Sequence, residues 1–140
     1  MIHMQKAEKP EIEKTSLNIT KEELDRAFDE RFPVWMKEKL QNASVAVAGL
    51  GGLGSNIAVS LARSGVGHLL LIDFDVVDVT NLNRQMYLIP HLGIPKTQAL
   101  RVILVQINPW LDIQTQQIKV TSKNVLDRDR KSGSAGMPRP

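Results

Sequence analysis

The sequence predicts an α/β fold: a mostly parallel sheet with flanking helices, preceded by an N-terminal helical segment. Two observations carry this prediction. A glycine run, residues 49–54, directly follows the apolar segment 45–48 and directly precedes a stretch with helical spacing. Residues 69–72 are apolar throughout, which is typical of parallel strands that are buried on both faces. A strand, a glycine turn, a helix and a second strand in this order indicate a right-handed βαβ unit of the Rossmann-like kind.

The N-terminal part of the chain predicts a tail and two short helices. Residues 1–19 are polar and charged, so we expect a flexible tail. Thr20, followed three residues later by Glu23, forms a capping box that starts a helix. Pro33 interrupts the helical pattern, and residues 34–42 resume it as a second helix. Trp35 is predicted to be a packing residue of this second helix.

The central part predicts the sheet itself. Its elements are a strand at 44–49, a helix at 53–63, a strand at 68–73, a helix at 95–107, a strand at 112–120 and the start of another helix at 123–127. Pro95 suits the first turn of its helix, because proline has no backbone N–H to leave unpaired there. Residues 127–140 lose all periodicity and are rich in Arg, Ser, Gly and Pro, so we predict a disordered or non-native tail.

Composition narrows the functional classes. The chain has no cysteine, which excludes disulfides, thiolate zinc sites and a cysteine nucleophile within it. His68 and His91 have no companion at ligand spacing, so no resident metal site is predicted. Residues 1–13 lack the apolar core of a signal peptide, and no apolar stretch reaches the roughly 18 residues of a membrane helix. The net charge of +3 is dispersed. We therefore predict a cytoplasmic protein that binds neither membranes nor nucleic acid.

The glycine run predicts a phosphate-binding turn. Its spacing matches the fingerprint G-x-G-x-x-G through Gly49, Gly51 and Gly54, with Gly52 in the same turn. Such a turn points backbone N–H groups and the positive end of a helix dipole at one place, which favours an anion. Asp73 closes the next strand about 20 residues later, where a carboxylate accepts hydrogen bonds from ribose. The alternative is that Asp73 only caps the turn that follows it.

Two later segments carry a resemblance to a known family. Residues 71–85 read L-I-D-F-D-V-V-D-V-T-N-L-N-R-Q, and residues 93–96 read G-I-P-K. Together they resemble the ThiF/MoeB adenylyltransferases, relatives of the ubiquitin-activating enzymes, and are most similar in character to short ThiF-like proteins of thiamine biosynthesis. The resemblance implies that ATP, with Mg²⁺, activates the C-terminal glycine carboxylate of a ubiquitin-like, ThiS-like sulfur carrier ending in Gly-Gly. An acyl-adenylate forms and pyrophosphate leaves.

The resemblance also assigns roles to residues of the nucleotide site. It implies that Asp73 holds the ribose, that Asp75 lies in the same site, and that Asn81, Arg84 and Lys96 contact the phosphates. Arg84 and Lys96 are the principal catalytic candidates, because fixed cations offset the charge that builds up on leaving pyrophosphate. The alternative is that Arg84 and Lys96 are ordinary surface cations in contact with solvent. Asn81 is alternatively a turn residue that hydrogen-bonds its own backbone.

Two further roles depend on the same resemblance. Asp75 and Asp78 are candidate ligands of Mg²⁺, with ordinary solvated loop carboxylates as the alternative. Family members also place an arginine from upstream of the glycine motif into the partner subunit's site of a homodimer. Arg26 and Arg31 are the candidates for this catalytic role in trans, and the sequence context favours Arg31.

The chain departs from the family pattern after the third predicted strand. The family's next strand, which ends in an aspartate that binds Mg²⁺, and the strands that hold the acceptor's tail have no counterpart here. Residues 20–126 are therefore interpreted as the ATP-binding half of the domain, with the C-terminal half of the fold missing. The exposed sheet edge predicts a homodimer or a larger assembly. Two alternative functions are an NAD-dependent oxidoreductase that uses the same fingerprint and a non-catalytic nucleotide-binding module.

Overall fold

The computed structural model describes residues 17–123, which form one parallel sheet of three strands in the order β1-β2-β3. The elements are α1 (Lys21–Asp29), α2 (Val34–Asn42), β1 (Ser44–Ala48), α3 (Gly52–Arg63), β2 (His68–Ile72), α4 (Lys96–Ile107) and β3 (Asp112–Gln116). The predicted α/β architecture is confirmed. The polar connection between β2 and α4 contains two short 3-10 helices, Val79–Asn81 and Ile89–His91. The predicted C-terminal tail and most of the predicted N-terminal tail lie outside the described residues.

The core lies between the sheet and two helices. Helix α3 packs on β1 and on α4, and α4 packs on β3, so both helices cover the same face of the sheet. Leu69 and Leu71 of β2 point to this face and are buried. On the opposite face Leu70 is half-buried and Gln114 is exposed. Among residues 17–123, therefore, only one face is fully covered, which corrects the expectation of a sheet buried on both sides.

The two N-terminal helices begin as predicted. Thr20 Oγ1 accepts a hydrogen bond from the Glu23 N–H at 3.1 Å, and Glu23 Oε2 accepts one from the Thr20 N–H at 2.9 Å. This reciprocal pair is the capping box that the sequence predicts. Pro33 stands at the N-cap of α2, where its missing N–H costs nothing. None of the helices in the described part of the chain is long and apolar enough to cross a membrane.

Several local predictions differ from the structure, and β1, β2 and α4 are each one residue shorter than predicted. Strand β3 ends at Gln116 and not at residue 120, because Gln116 pairs with Ile72, the last residue of the neighbouring strand. Helix α3 begins at Gly52, one residue earlier than predicted. Trp35 is 60% exposed, so its prediction as a packing residue is wrong. The Lys39 ammonium lies 5.5 Å from the centroid of its ring, a cation–π contact that leaves the ring in solvent.

Candidate nucleotide-binding site

The glycine turn joins the carboxyl end of β1 to the start of α3. Gly49 has a φ of +87°, in the left-handed region that favours glycine, and its N–H donates to Ile72 O at 2.8 Å. Gly51 is the N-cap of α3, and no side chain of residues 17–123 accepts a hydrogen bond from the first turn of this helix. The first N–H groups of α3 therefore have no side-chain cap, which is the arrangement that suits an anion.

Asp73 is attached to this turn. Its Oδ2 accepts a hydrogen bond from the Leu50 N–H at 2.6 Å, and its Oδ1 accepts one from the Asp75 N–H at 2.8 Å. The structure thus shows the turn-capping role and also places the carboxylate beside the glycines. Each carboxylate oxygen has a second lone pair for another donor. Binding of ribose by Asp73 remains a prediction that this geometry permits.

Lys96 lies at the first position of α4, close to the same end of the sheet. Its N–H donates to Asp75 O at 2.9 Å, and Val77 N–H donates to Ile94 O at 2.8 Å, so the segment after β2 holds the start of the helix. The side chain is buried, with 7% of the residue exposed. Within residues 17–123, no carboxylate oxygen lies within 4.0 Å of its ammonium. An ammonium that has no carboxylate partner and whose side chain is held against the fold is available to a bound anion.

The loop between β2 and α4 brings a second cation to the turn. Arg84 is exposed, and its Cγ and Cδ lie 3.5 Å from the position that a Cβ on Gly52 would occupy. Its Nη1 donates to Asn83 Oδ1 at 3.1 Å and to Thr80 O at 3.3 Å. A side chain and a carbonyl of the loop therefore hold the guanidinium, and the Arg84 side chain lies beside the first turn of α3.

Asn81 and Asp78 cap the first 3-10 helix of that loop. Asn81 Oδ1 accepts a hydrogen bond from the Asp78 N–H at 2.8 Å. Asn81 therefore acts as a turn residue, which was the alternative to phosphate binding. The pKa of the Asp78 carboxyl lies below its ordinary value, mainly because the hydroxyl and the N–H of Thr80 donate to it. The charge of Lys96 makes a smaller contribution in the same direction. Phosphate binding by Asn81 remains a prediction.

Residues that the sequence analysis missed attach the loop to α3. Asn56 Nδ2 donates to Arg84 O at 3.3 Å, and Met86 N–H donates to Ser55 Oγ at 3.3 Å. Ser55 is completely buried, and its hydroxyl donates to Gly51 O at 2.6 Å. The sequence carried one signal for this attachment, because Ser55 and Asn56 are polar residues near the start of a helix that packs on an apolar sheet. A buried hydroxyl needs hydrogen-bond partners, so a tertiary contact was to be expected there.

Tyr87 attaches the same loop to the glycine turn. It is 2% exposed, and its hydroxyl donates to Leu50 O at 2.7 Å, so it supports the residue whose N–H binds Asp73. Burial, and to a smaller extent the charge of Asp73, raise the pKa of Tyr87 well above its ordinary value of 10.0. The folded protein therefore holds Tyr87 in its neutral form at pH values where an unfolded chain ionises it.

This shift gives a pH prediction. Because the pKa is raised on folding, the contribution of Tyr87 to the free energy of unfolding is complete below pH 10.0 and falls as the pH rises above it. Tyr87 is the single tyrosine of the chain, so the absorbance of tyrosinate reports on this residue alone. We expect the folded protein to titrate well above the urea-unfolded chain. Coincident titration curves would contradict the buried position, and Tyr87→Phe should remove the signal.

The structure does not bring the two upstream arginines to this site. Both Arg26 and Arg31 are exposed, and no ion pair involves either of them within residues 17–123. The Arg31 guanidinium lies 5.6 Å from the centroid of the neighbouring Phe32 ring. An exposed arginine on the connection between α1 and α2 is available to another chain, but its role in trans remains a prediction.

The carboxylates of the candidate site do not form a metal-binding cluster among the described residues. The described range 17–123 contains no group of three or more His, Cys, Asp or Glu side chains that could hold a metal ion. One oxygen of Asp78 already accepts two hydrogen bonds from Thr80, and both oxygens of Asp73 accept backbone N–H groups. Binding of Mg²⁺ by Asp75 and Asp78 therefore remains a prediction, and no chemical step below depends on the ion.

Fold and site together define an α/β domain with a candidate phosphate-binding turn at the carboxyl end of its sheet. The chain belongs to the ThiF family, whose model matches residues 23–131. The tRNA threonylcarbamoyladenosine dehydratase of Bacillus subtilis is 48% identical over 77 residues, which are 54% of this chain and 30% of that protein. The molybdopterin-synthase adenylyltransferase of Haemophilus influenzae is 38% identical over 92 residues, 65% of this chain and 38% of that protein. The predicted family is thereby confirmed.

Comparison with solved structures supports the same family. The E. coli threonylcarbamoyladenosine dehydratase TcdA in complex with ATP superposes with a TM-score of 0.74 at 30% identity, over 86% of this chain and 49% of that chain. E. coli MccB with ATP has a TM-score of 0.65 at 33% identity, over 69% of this chain and 29% of that one. The chain thus spans half or less of the length of these relatives.

Proposed function

We propose that this chain is the ATP-binding part of an adenylyltransferase that activates a carboxylate as its acyl-adenylate. One observation carries the proposal. Arg84 lies beside the uncapped first turn of α3, and Lys96, with no carboxylate within 4.0 Å among residues 17–123, begins a helix at the same end of the sheet. Three groups of positive character at one place suit a polyphosphate. Family membership and the ATP-bound structures of relatives support the same ligand.

The proposed reaction is a transfer of AMP. A carboxylate oxygen attacks the α-phosphorus of ATP, the bond from that phosphorus to the bridging oxygen breaks, and pyrophosphate leaves with the bonding electrons. Negative charge grows on the leaving oxygens, and the fixed cations Arg84 and Lys96 offset it without reorganisation. Asp73 holds the ribose in this proposal, so that the α-phosphate is presented in one orientation.

The position of Arg84 predicts a selective loss. Arg84→Ala should weaken ATP binding about tenfold or more but leave AMP binding nearly unchanged, because the guanidinium serves the outer phosphates. Calorimetric titration with each nucleotide measures this, with Arg63→Ala as the matched control at the opposite end of α3. Equal losses for ATP and AMP would refute the assignment of Arg84 to the outer phosphates.

The acceptor has two candidates. The first is the C-terminal glycine of a ubiquitin-like, ThiS-like sulfur carrier, which relatives named molybdopterin-synthase adenylyltransferase and ubiquitin-like modifier-activating enzyme support. The second is the carboxylate of a threonylcarbamoyl nucleoside in tRNA. The 48% identity to a protein named for dehydration of that nucleoside favours it. Dehydration also requires an activated oxygen, which adenylation supplies.

Pyrophosphate exchange distinguishes the acceptors. Labelled pyrophosphate is incorporated into ATP only when an acceptor carboxylate reaches the α-phosphorus, so the sulfur carrier and the modified tRNA are tested separately. A version extended to the length of the relatives is measured beside this chain. Exchange with one acceptor identifies the substrate. No exchange by the extended version with either acceptor would remove the proposed reaction.

We further propose a cytoplasmic homodimer in which Arg31 enters the ATP site of the partner subunit. The exposed Arg31, the exposed Trp35 nearby on α2 and the unpaired outer edge of β1 among the described residues support an assembly. A place in thiamine biosynthesis belongs to the same proposal, because it depends on the sulfur carrier as acceptor.

A further inference from the structure

The outer edge of β3 is an open edge of the sheet. Among residues 17–123 no strand lies beside it, because β3 is the last strand in the order β1-β2-β3. The Asp112 N–H donates to Gly67 O, directly before β2, at 3.1 Å, so Asp112 directs its backbone groups toward β2. Alternate residues of a strand direct these groups to opposite sides. Ile113 and Thr115 therefore present their N–H and C=O groups at the outer edge, where another chain can pair with them.

The guanidinium of Arg101 lies against this edge. Arg101 is in the middle of α4, is 9% exposed, and donates from Nη2 to Ile113 O at 3.3 Å. Within residues 17–123, no carboxylate oxygen lies within 4.0 Å of this guanidinium. An arginine side chain keeps its charge in proteins and offers only donors. A charged group that points at a strand edge is one of the devices by which proteins prevent pairing there.

The sequence of this edge suits pairing with a copy of itself. Residues 113–118 read I-Q-T-Q-Q-I, a segment with three β-branched residues and no charge, proline or glycine. Short segments of this kind stack as cross-β sheets, and glutamine side chains add ladders of hydrogen bonds between the copies. Asp112 and Lys119 flank the segment, in the positions where charged gatekeeper residues stand beside such strands. The same strand of a second copy of this chain is therefore the partner that fits the edge.

We propose that the outer edge of β3 is a self-association surface and that Arg101 keeps it closed. A second copy of β3 needs Ile113 O as a hydrogen-bond acceptor, and the guanidinium already occupies this oxygen. Pairing with the guanidinium in place encloses a charge between two strands without a carboxylate, which is costly. Removal of the guanidinium abolishes this cost and leaves Ile113 O in need of a donor. The inference involves no nucleotide, so it is independent of the proposed function.

Light scattering of the full chain over a range of concentrations, with circular dichroism at each, tests the proposal. Arg101→Met keeps the aliphatic volume and removes the charge. Because pairing of two edges doubles the particle, its weight-average mass should rise about twofold or more above that of the unmodified chain as the concentration increases. Arg101→Lys keeps a cation at the edge and should keep the mass of the unmodified chain. Arg63→Met, at an exposed arginine in the last turn of α3, is the matched control and should not associate further.

A second substitution separates the edge from other surfaces. The Thr115 N–H points outward, so Thr115→Pro removes a donor from the edge and leaves the hydrogen bonds between β3 and β2 in place. The double variant Arg101→Met with Thr115→Pro should therefore return to the mass of the unmodified chain.

Each contrary result overturns the proposal. If Arg101→Met keeps the mass of the unmodified chain at every concentration, Arg101 does not close the edge. If the double variant associates as strongly as Arg101→Met, the copies meet at another surface. If Arg101→Met has lost its circular dichroism signal at the lowest concentration, Arg101 supports the fold itself and not the closure of the edge. None of these results bears on nucleotide binding, so the proposed function stands or falls separately.

Discussion

Replacing Lys96 by methionine is expected to lower the affinity for ATP about a hundredfold without lowering the stability of the fold. Lys96 is 7% exposed and has no carboxylate within 4.0 Å of its ammonium among the residues described, so its charge is available to bind phosphate. A charge-assisted contact in a desolvated place contributes on the order of 2–5 kcal/mol when its partner is lost. Methionine fills the same volume and removes a buried charge, which favours the ligand-free fold.

Calorimetric titration with ATP measures the first effect, and thermal unfolding measures the second. Lys39→Met serves as the matched control, because Lys39 is an exposed lysine of α2 that contacts the Trp35 ring. It should leave the ATP affinity unchanged. If Lys96→Met binds ATP as tightly as the unmodified chain, Lys96 is not a phosphate ligand. If it binds weakly only because it unfolds, the lysine has a structural role instead.

Gly54→Ala is expected to cause the largest loss of stability of any single change at the site. A Cβ at this position would lie 1.7 Å from Gly49 O and 2.8 Å from Gly49 C, and both are backbone atoms of the turn. Relief of the clash requires α3 to move away from β1, across the buried contact that forms the core. We expect the free energy of unfolding to fall by about 3 kcal/mol or more, beyond the usual range for overpacking.

Gly52→Ala is the control for this prediction. A Cβ at Gly52 would lie 3.5 Å from the Arg84 side chain, an ordinary contact distance, and alanine favours the helix that begins there. Urea unfolding of both variants should therefore show a large loss for Gly54→Ala and a change within about 1 kcal/mol for Gly52→Ala. Equal stabilities would mean that the turn does not pack against α3 as described.

The fold was largely predictable because its signals are local. Thr20 with Glu23 specified the start of α1, and the apolar run in β2 specified a strand without reference to the rest of the chain. The strand ends were less predictable. Whether β3 continues past Gln116 depends on where β2 stops, and that pairing is not encoded in the residues of β3. The exposure of Trp35 likewise depends on which elements lie near α2, so helical spacing alone gave the wrong result.

The site was predictable where a motif carried it and not elsewhere. The glycines, Asp73, Arg84 and Lys96 were predicted from spacing and resemblance, and the structure places them at one end of the sheet, while their roles toward a nucleotide remain predictions. The supporting group, Ser55, Gln85 and Tyr87, was missed because each residue acts through a tertiary contact with the turn. A single sequence does not show that residues 85–87 run alongside α3, so their polar atoms had no visible partners.

The most direct test of the central claim is a pair of calorimetric titrations of the unmodified chain, one with ATP and one with NADH. The glycine turn, Arg84 and Lys96 together predict saturable binding of ATP, weakened by Lys96→Met, and no binding of NADH. Binding of NADH without binding of ATP would contradict the claim and support an oxidoreductase with the same glycine fingerprint.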